Sequence, residues 1–136
     1  MSDVVYFPTL ADALTINRRF TGHGVRDIGL LASALGRPQT SAFGQDAYPD
    51  LWSKAAALMH SVIRNHPFLD ANKRTAVGLA LTMLTYNGID AESPNHETLL
   101  ALAVGIANSD FDVPRITVVL QRAVESDEPF DPRELA

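Results

Sequence analysis

The segment at residues 75 to 86 (TAVGLALTMLTY) is apolar on every face of a helix, and this constrains the fold more than any other feature of the sequence. A helix without a polar face must be surrounded by other elements. Asn87 and Gly88 follow directly and are expected to end the helix, since both residue types tolerate the left-handed conformation found there. The chain must therefore supply further helices to enclose this one.

The remaining segments also show helical rather than strand periodicity. Five more helices are predicted, each beginning just after a polar residue that can cap it: Thr9, Asp27, Asp50, Ser93 or Asn95, and Asp112. The predicted core stripes of the first three include Leu10, Leu14 and Phe20; Ile28, Leu31, Ala32 and Leu35; and Leu51, Ala55, Leu58 and Val62, with Lys54, Ser61 and Arg64 outward. Only residues 4 to 7 look extended. The class predicted is all-α, a bundle of about six helices around a central buried one.

The composition bounds the architecture and the function classes. With 136 residues the chain is expected to form one domain over residues 1–125, followed by an acidic, mobile tail at 126–136. The net charge of −5 argues against general affinity for nucleic acid or an anionic membrane. The absence of cysteine excludes disulfides, thiolate zinc sites and cysteine nucleophiles. No signal peptide or membrane span is recognisable, so we expect a cytoplasmic protein.

One short stretch, HPFLDANKRTA at residues 66–76, concentrates chemistry-bearing side chains. Pro67 disfavours helical geometry at His66, so a tight loop is predicted between one helix and the next. The new helix should start near Asn72 to Thr75, and a helix N-terminus attracts phosphate oxygens. Lys73 and Arg74 add formal charge there. The stretch is therefore a candidate phosphate site.

Two further residues of the stretch complete a phosphoryl-transfer or nucleotidyl-transfer site. Asp70 would repel a phosphate unless a cation lay between them, and magnesium is commonly held by one or two carboxylates together with substrate phosphates. The imidazole of His66 can accept a proton from a hydroxyl nucleophile at neutral pH. A base, a metal carboxylate and a cationic cradle are the parts that attack on a nucleotide phosphate requires.

Each of these residues also has an ordinary structural role open to it. His66 could end a helix, Asp70 or Asn72 could begin one, and Lys73 and Arg74 could be solvated charges. A zinc site at His66 and Asp70 is disfavoured, because Pro67 spoils their helical spacing and no third ligand is evident. A degenerate binding module that keeps the motif only as a helix cap is a further alternative.

The motif resembles that of the Fic superfamily, H-P-F-x-[D/E]-G-N-G-R-x-x-R, and is more similar still to its Doc branch, H-x-F-x-D-A-N-K-R-T-A. The similarity extends over most of residues 5 to 125 and includes FPTLADAL, VRDIGLLASALGRPQ, the loop at Tyr48 and Pro49, and LTMLTYNG. The resemblance implies a compact bundle of about six helices with the motif loop between two central ones.

The resemblance also implies a role for each motif residue. His66 would be the general base, Phe68 the anchor of the loop, and Asp70 the magnesium ligand. The phosphate-binding or nucleotide-binding residues would be Ala71, Asn72, Lys73 and Arg74. The loop at residues 40–49, with Phe43, Gly44 and Tyr48, would be the flap that aligns the target protein beside the site.

Departures from the general Fic pattern bear on the chemistry. Enzymes of the family that transfer AMP have glycine at the positions of Ala71 and Lys73, and a second arginine in place of Val77. Doc-type proteins share the replacements seen here and resemble kinases that pass the γ-phosphate of ATP to a threonine of elongation factor Tu. The resemblance thus implies a toxin that uses ATP and Mg²⁺ and arrests translation, with AMP transfer as the alternative.

The expected inhibitor is a separate small antitoxin, whose C-terminal segment would fold as it binds the bundle. Some relatives instead inhibit themselves through a helix bearing [S/T]-x-x-x-E-[G/N]. Residues 93–97 match its spacing, but Thr98 breaks the ending and Pro94 suits a helix start. We interpret this partial match as coincidence.

Overall fold

The computed structural model describes residues 4–108 and 111–134, and most of this part is helical. The helices are α1 Leu10–Arg18, α2 Ile28–Gly36, α3 Leu51–Asn65, α4 Asn72–Tyr86, α5 His96–Ala107 and α6 Val113–Glu125. Short 3₁₀ helices cover Arg37–Gln39 and Pro132–Glu134. Strands β1 Ser41–Ala42 and β2 Gln45–Asp46 form a small antiparallel hairpin. The predicted all-α bundle of about six helices is confirmed.

The helix starts follow from capping chemistry. The side chains of Asp27, Asp50, Asn95 and Asp112 each accept a hydrogen bond from a first-turn N–H, and Thr9 does so within a reciprocal capping box. A short polar side chain before an apolar stripe satisfies donors that the helix itself leaves unpaired. This is why the starts predicted after Thr9, Asp27, Asp50 and Asp112 agree with the structure to the residue. Of the two caps predicted for α5, Ser93 or Asn95, the structure has Asn95.

The core lies where α3 and α4 cross the other helices. Helix α4 contacts α1, α3 and α5, and its residues from Thr75 to Leu84 are mostly buried, as its apolar sequence predicts. Helix α3 contacts α2, α4, α5, α6 and the first 3₁₀ helix. The preceding helix is therefore as central to the bundle as the one that follows the motif loop.

The core faces predicted for α1 and α2 are wrong in part. Leu10, Phe20 and Ile28 are 42%, 43% and 55% exposed, and Ala32 is exposed as well. The buried apolar residues of these helices are Ala13, Ile16, Leu31 and Ala34. Each helix has only nine residues and carries apolar side chains on more than one side. Periodicity alone cannot choose among such faces, and the small alanines allow the closest packing against α3 and α4.

The outward orientation predicted for Lys54 and Ser61 on α3 is also wrong. Both are buried, with 5% and 3% of their surface exposed. Each finds polar partners inside the protein: Lys54 bonds to the β hairpin, and the Ser61 hydroxyl donates to the Ala57 carbonyl at 2.9 Å. A buried polar group with its hydrogen bonds satisfied carries little penalty. Of the three, only Arg64 is exposed.

The two ends of the described chain lie against the bundle. The predicted extended segment at residues 4–7 forms no strand; the Asn87 side chain accepts from the Tyr6 N–H at 2.9 Å and donates to its carbonyl at 2.8 Å. In the predicted tail, the Phe130 ring lies under the Arg122 guanidinium, and Pro132 is buried. The domain boundary at residue 125 and the mobility of the tail remain predictions; residues 135 and 136 lie outside the described part.

None of the helices in the described ranges combines the length and the hydropathy that crossing a membrane requires.

Candidate active site

The motif residues form a tight loop between α3 and α4, as predicted. His66 ends α3 in the left-handed conformation with φ 51°, and Ala71 precedes α4 with φ 61°. These two reversals let the chain leave α3 and enter α4 across the six residues 66–71. The loop therefore delivers the side chains of His66 and Asp70 to the N-terminal end of α4.

Backbone hydrogen bonds hold this loop against the segment that precedes α2. The N–H groups of Arg26 and Asp27 donate to the Pro67 carbonyl at 2.8 and 3.0 Å, and the Leu69 N–H donates to the Gly24 carbonyl at 3.0 Å. The Arg26 guanidinium adds a bond of 2.7 Å to the His66 carbonyl. These bonds hold the loop by its main chain and leave the His66 side chain for other contacts.

Two asparagines complete the support from inside. The Asn72 carboxamide accepts from the Phe68 N–H and donates to the Phe68 carbonyl, both at 2.9 Å, while the Phe68 ring is fully buried. The Asn17 amide donates to the Asp70 carbonyl and to the Thr75 hydroxyl, each at 3.0 Å. The Asn72 side chain is therefore occupied in supporting the loop, and the Asn72 backbone N–H is the group that could bind a phosphate.

The loop borders an open cleft of about 440 Å³. Its lining consists of Phe20, His66, Leu69, Asp70, Ala71, Asn72, Lys73 and Arg74. Helix α4 has no side-chain cap at its N-cap residue, Ala71, so the N–H groups of its first turn face this cleft without an intrahelical partner. Every motif residue predicted to act on a phosphate thus lines one cleft at a helix N-terminus.

The charged groups of the cleft are exposed. Lys73 and Arg74 lie in the first turn of α4, where the helix dipole already favours an anion. The Arg74 guanidinium lies 6.0 Å from the centre of the Phe20 ring, which braces it from the side of α1. The His66 imidazole is exposed and makes no hydrogen bond within the described part of the chain, so it is accessible to a substrate hydroxyl.

Asp70 is the one carboxylate among the described residues that line the cleft. Its Oδ1 accepts from the Ala71 N–H at 2.8 Å, which fixes the carboxylate and leaves Oδ2 for a cation. Within the described residues no group of three or more His, Cys, Asp or Glu could enclose a metal. A single carboxylate fits Mg²⁺, which keeps several waters and takes its other ligands from nucleotide phosphates, and does not fit an all-protein metal centre.

The loop predicted to be the flap contains the β hairpin, with Phe43 and Gly44 at its tip. It is attached to α3: Lys54 Nζ lies 3.1 Å from Asp46 Oδ2 and also donates to the Tyr48 carbonyl. The Tyr48 hydroxyl accepts from Arg37 Nε at 3.0 Å. The hairpin residues are not part of the cleft lining. The flap is attached to α3, and the cleft is lined by His66 at the end of the same helix.

A polar cluster lies beneath the flap. Arg37 Nη1 donates to His60 Nδ1 at 2.6 Å and to the Ser61 hydroxyl at 3.1 Å. Burial lowers the pKa of His60, and the neighbouring Arg37 and Arg64 lower it further, against a small opposing effect of Asp112. A neutral imidazole with its lone pair on Nδ1 matches this donor.

A larger cleft of about 640 Å³ lies between α5 and the C-terminal segment. Glu97, Val104, Phe130 and Arg133 are among its lining residues, and no motif residue is. Among the described residues its lining includes no histidine that could act as a base, and its Arg133 is paired with Asp131 at 2.8 Å. Its size therefore does not make it the better candidate.

Three residues of the site were not predicted from the sequence. Arg26 and Asn17 hold the loop, and Phe20, predicted to lie in the core, lines the cleft. A signal existed for Asn17, since a carboxamide beside Ile16 on a buried helix face needs a polar partner. No comparable signal exists for Arg26, whose contacts are with main-chain carbonyls.

Comparison with known proteins agrees with the geometry. Residues 7–84 match the model of the Fic/DOC family. The chain is 57% identical over 65 residues to "Toxin Doc" of Mycolicibacterium smegmatis, across 48% of this chain and 50% of that protein. It is 34% identical over 106 residues to "Protein kinase doc" of Escherichia phage P1, across 77% of this chain and 81% of that protein.

The first of these matches spans about half of the mycobacterial protein, whereas the second extends over most of both chains. The family model covers more than half of the 136 residues and includes the whole motif loop. The helical bundle, the loop between α3 and α4, and these similarities together show that the chain belongs to the Fic/Doc family, in its Doc branch.

Proposed function

We propose that this chain is a Doc-type toxin, a protein kinase that transfers the γ-phosphate of ATP to a threonine of elongation factor Tu and so arrests translation in the cytoplasm. The observation that carries the proposal is the shared cleft of His66, Asp70, Lys73 and Arg74 at the N-terminus of α4. The names of the two relatives, a toxin and a protein kinase, support it.

The chemistry follows from the positions of the side chains. The His66 imidazole accepts the proton of the threonine hydroxyl as the oxygen attacks the γ-phosphorus. The new O–P bond forms while the bond to the β-phosphate oxygen breaks, and ADP leaves. Lys73, Arg74 and the N–H groups of the first turn of α4 stabilise the charge on the transferred group. Phe68 and Asn72 keep the loop in place.

Asp70 would hold Mg²⁺ through Oδ2, together with the nucleotide phosphates. When bound, the ion supplies positive charge that neutralises the phosphate oxygens. The Ala71 N–H bond fixes the carboxylate before the nucleotide arrives, so the ion is met by a ligand of fixed orientation.

Two positions favour γ-phosphate transfer over AMP transfer. At the position of Val77, the resemblance implies a second arginine in AMP-transferring members of the family. The Val77 side chain is only 8% exposed and does not line the cleft. Lys73 replaces a glycine and fills the space through which the backbone would approach a nucleotide. The cleft therefore lacks the group that would grip an outer phosphate in the AMP-transferring orientation.

The proposed inhibitor is a separate antitoxin protein. The internal alternative would use Glu97, but that residue lies in the first turn of α5 and lines the larger cleft rather than the motif cleft. Asn95 is the N-cap of α5, so the residues around it have a structural role that needs no inhibitory one.

The test is intact-mass spectrometry of elongation factor Tu after incubation with this protein, ATP and Mg²⁺. A gain of about 80 daltons that is absent with His66→Ala supports the proposal, and a gain of about 329 daltons selects AMP transfer. Retention of transfer by His66→Ala would overturn the role of the base. A chain that binds the factor but turns over no nucleotide would be a binding module.

A further inference from the structure

His66 combines a strained main chain with an unattached side chain. It has φ 51° and ψ 53°, the left-handed region in which the Cβ of an L residue comes too close to a carbonyl oxygen. Its imidazole is exposed and makes no hydrogen bond within the described part of the chain. The direction of the ring therefore depends on the main chain of His66, and whatever holds that main chain positions the proposed base.

The end of α3 is held by a side chain from another segment. The last carbonyl groups of an α-helix have no partner within the helix. The Asn65 carbonyl accepts from Arg26 Nη2 at 3.0 Å, and the His66 carbonyl accepts from Arg26 Nε at 2.7 Å. The donors of a guanidinium lie in one plane at fixed angles, so one edge of it can orient two neighbouring carbonyls together. Arg26 thus caps α3 at the residue that carries the base.

The segment around Arg26 is attached to the loop independently of its guanidinium. An antiparallel bridge joins Val25 and Phe68, and the Arg26 N–H donates to the Pro67 carbonyl at 2.8 Å. Both contacts are made by main-chain groups. Truncation of the Arg26 side chain would therefore free the carbonyl of His66 and leave the rest of the attachment in place.

The rate of proton transfer is sensitive to a disturbance of this kind. A general base must lie within hydrogen-bond reach of the proton that it removes. Release of the His66 carbonyl allows the main chain to leave its strained conformation, which changes the direction of the Cα–Cβ bond and moves the imidazole. Arg26 is not among the residues that line the cleft, so its loss removes no contact of the cleft with a nucleotide.

We propose that Arg26 is a positioning residue for the base: its guanidinium keeps His66 in the left-handed conformation and so directs the imidazole at the substrate hydroxyl. The inference rests on the proposed function, since it requires His66 to act as a base. It gives a residue outside the motif a part in the rate of transfer and none in the binding of ATP, Mg²⁺ or the target.

The decisive variant is Arg26→Ala. The positioning role predicts that kcat falls about tenfold to a hundredfold, while the KM values for ATP and for elongation factor Tu stay nearly unchanged. A purely structural role predicts a lower unfolding temperature with the same kcat for each folded molecule. Rates are therefore measured well below the unfolding temperature of the variant, and an unchanged kcat would overturn the proposal.

A second measurement needs neither ATP nor a target. The NMR chemical shifts of the His66 Cα and Cβ report its φ and ψ angles, and in Arg26→Ala they should move away from their left-handed values. The shifts of Thr82, in the middle of α4, serve as the internal reference and should stay the same. If the His66 shifts do not move, the guanidinium is not what holds this conformation, and the proposal fails.

Two control variants separate positioning from other effects. Arg18→Ala removes the same charge from an exposed residue in the last turn of α1 that does not line the cleft. Asn65→Ala removes a bond of 3.0 Å to the Leu30 carbonyl, which joins α3 to α2 but does not involve the His66 carbonyl. Both should leave kcat nearly unchanged. An equal loss of kcat in either control would assign the effect to charge or to general loosening and would overturn the proposal.

Arg26→Lys tests the geometry of the cap. Lysine keeps the charge, but its single ammonium cannot reproduce the planar pair of donors, so only part of the lost kcat should return. Full recovery with lysine would show that charge alone is needed and would refute the cap.

The outcomes distinguish this inference from the proposed function. If the original chain phosphorylates the factor and Arg26→Ala keeps its kcat, the positioning role is refuted and the kinase assignment stands. If the original chain arrests bacterial growth without modifying this factor, the named target is refuted, and relief of the arrest by Arg26→Ala then decides the positioning role. If it neither arrests growth nor transfers any part of the nucleotide, both proposals fail.

Discussion

Asn72 and Phe68 are joined by two hydrogen bonds of 2.9 Å, in which one carboxamide pairs with both main-chain groups of the other residue. Both residues are buried. The two bonds close the motif loop in the way that paired backbone bonds join two β-strands. The pairing needs a donor and an acceptor on one planar group, and no other side chain of the loop provides both.

We therefore expect Asn72→Ala to lower the free energy of unfolding by about 2–4 kcal/mol, since it leaves a buried N–H and a buried carbonyl unpaired. Urea denaturation measures the change. The neighbouring Lys73→Ala is the control, because Lys73 is exposed, and it should stay within about 0.5 kcal/mol of the original chain. Equal stability of the two variants would show that the pairing contributes little.

Ala71→Gly should have the opposite sign. Ala71 has φ 61°, where an L side chain is strained, so glycine should raise the free energy of unfolding by about 1 kcal/mol. The matched control is Ala32→Gly in the exposed middle of α2, which should lower it by about 1 kcal/mol. A loss of stability at both positions would contradict the strain at Ala71.

Asp70→Asn should change the dependence of phosphate transfer on magnesium. Removing the anionic ligand weakens Mg²⁺ binding, so the concentration for half-maximal rate should rise about tenfold or more. Titration of initial rates with Mg²⁺ measures it. Asp90→Asn, in the exposed loop after α4, is the charge-matched control and should leave the titration unchanged; a shift with this variant would indicate a general effect of net charge.

His60 should make stability depend on pH. Its folded-state pKa is lowered from 6.5, first by burial and then by Arg37, so below pH 6.5 the unfolded chain binds more protons than the folded one. The free energy of unfolding should therefore be constant above this pH and fall as the pH drops below it, towards the folded-state pKa.

Urea denaturation at about pH 7.5 and about pH 5.5 tests this dependence on His60. His60→Gln keeps an acceptor for Arg37 but cannot titrate, so its stability should fall less between the two conditions. His23→Gln, at an exposed histidine between Gly22 and Gly24, should behave like the original chain. An unchanged slope with His60→Gln would assign the pH dependence to other groups.

The features that the sequence predicted correctly are those that depend on residues close together in the chain. Helix starts such as Asp50 and Asp112 agree because a capping side chain acts within three residues. The break at His66 agrees because Pro67 acts on its immediate neighbour. The resemblance then supplied the family, which neither composition nor periodicity contains.

What the sequence did not predict depends on contacts between distant segments. Lys54 was predicted to face solvent, but the hairpin covers it. Phe20 was predicted to lie in the core, but its ring lies beside the Arg74 guanidinium. The roles of Arg26 and Asn17 rest on carbonyl groups whose positions are set only by the fold. Such contacts leave no periodic pattern along the chain.

The motif loop is held by its neighbours' amides and carbonyls, and the side chains of His66, Lys73 and Arg74 take no part in holding it. The side chains proposed to carry out the chemistry are thus distinct from the groups that hold the loop in place. Variants that lose the proposed chemistry, such as His66→Ala, should therefore remain folded. The proposed toxicity of the active chain would hinder its expression, whereas these inactive variants can be produced and should keep the surface that the proposed partners bind.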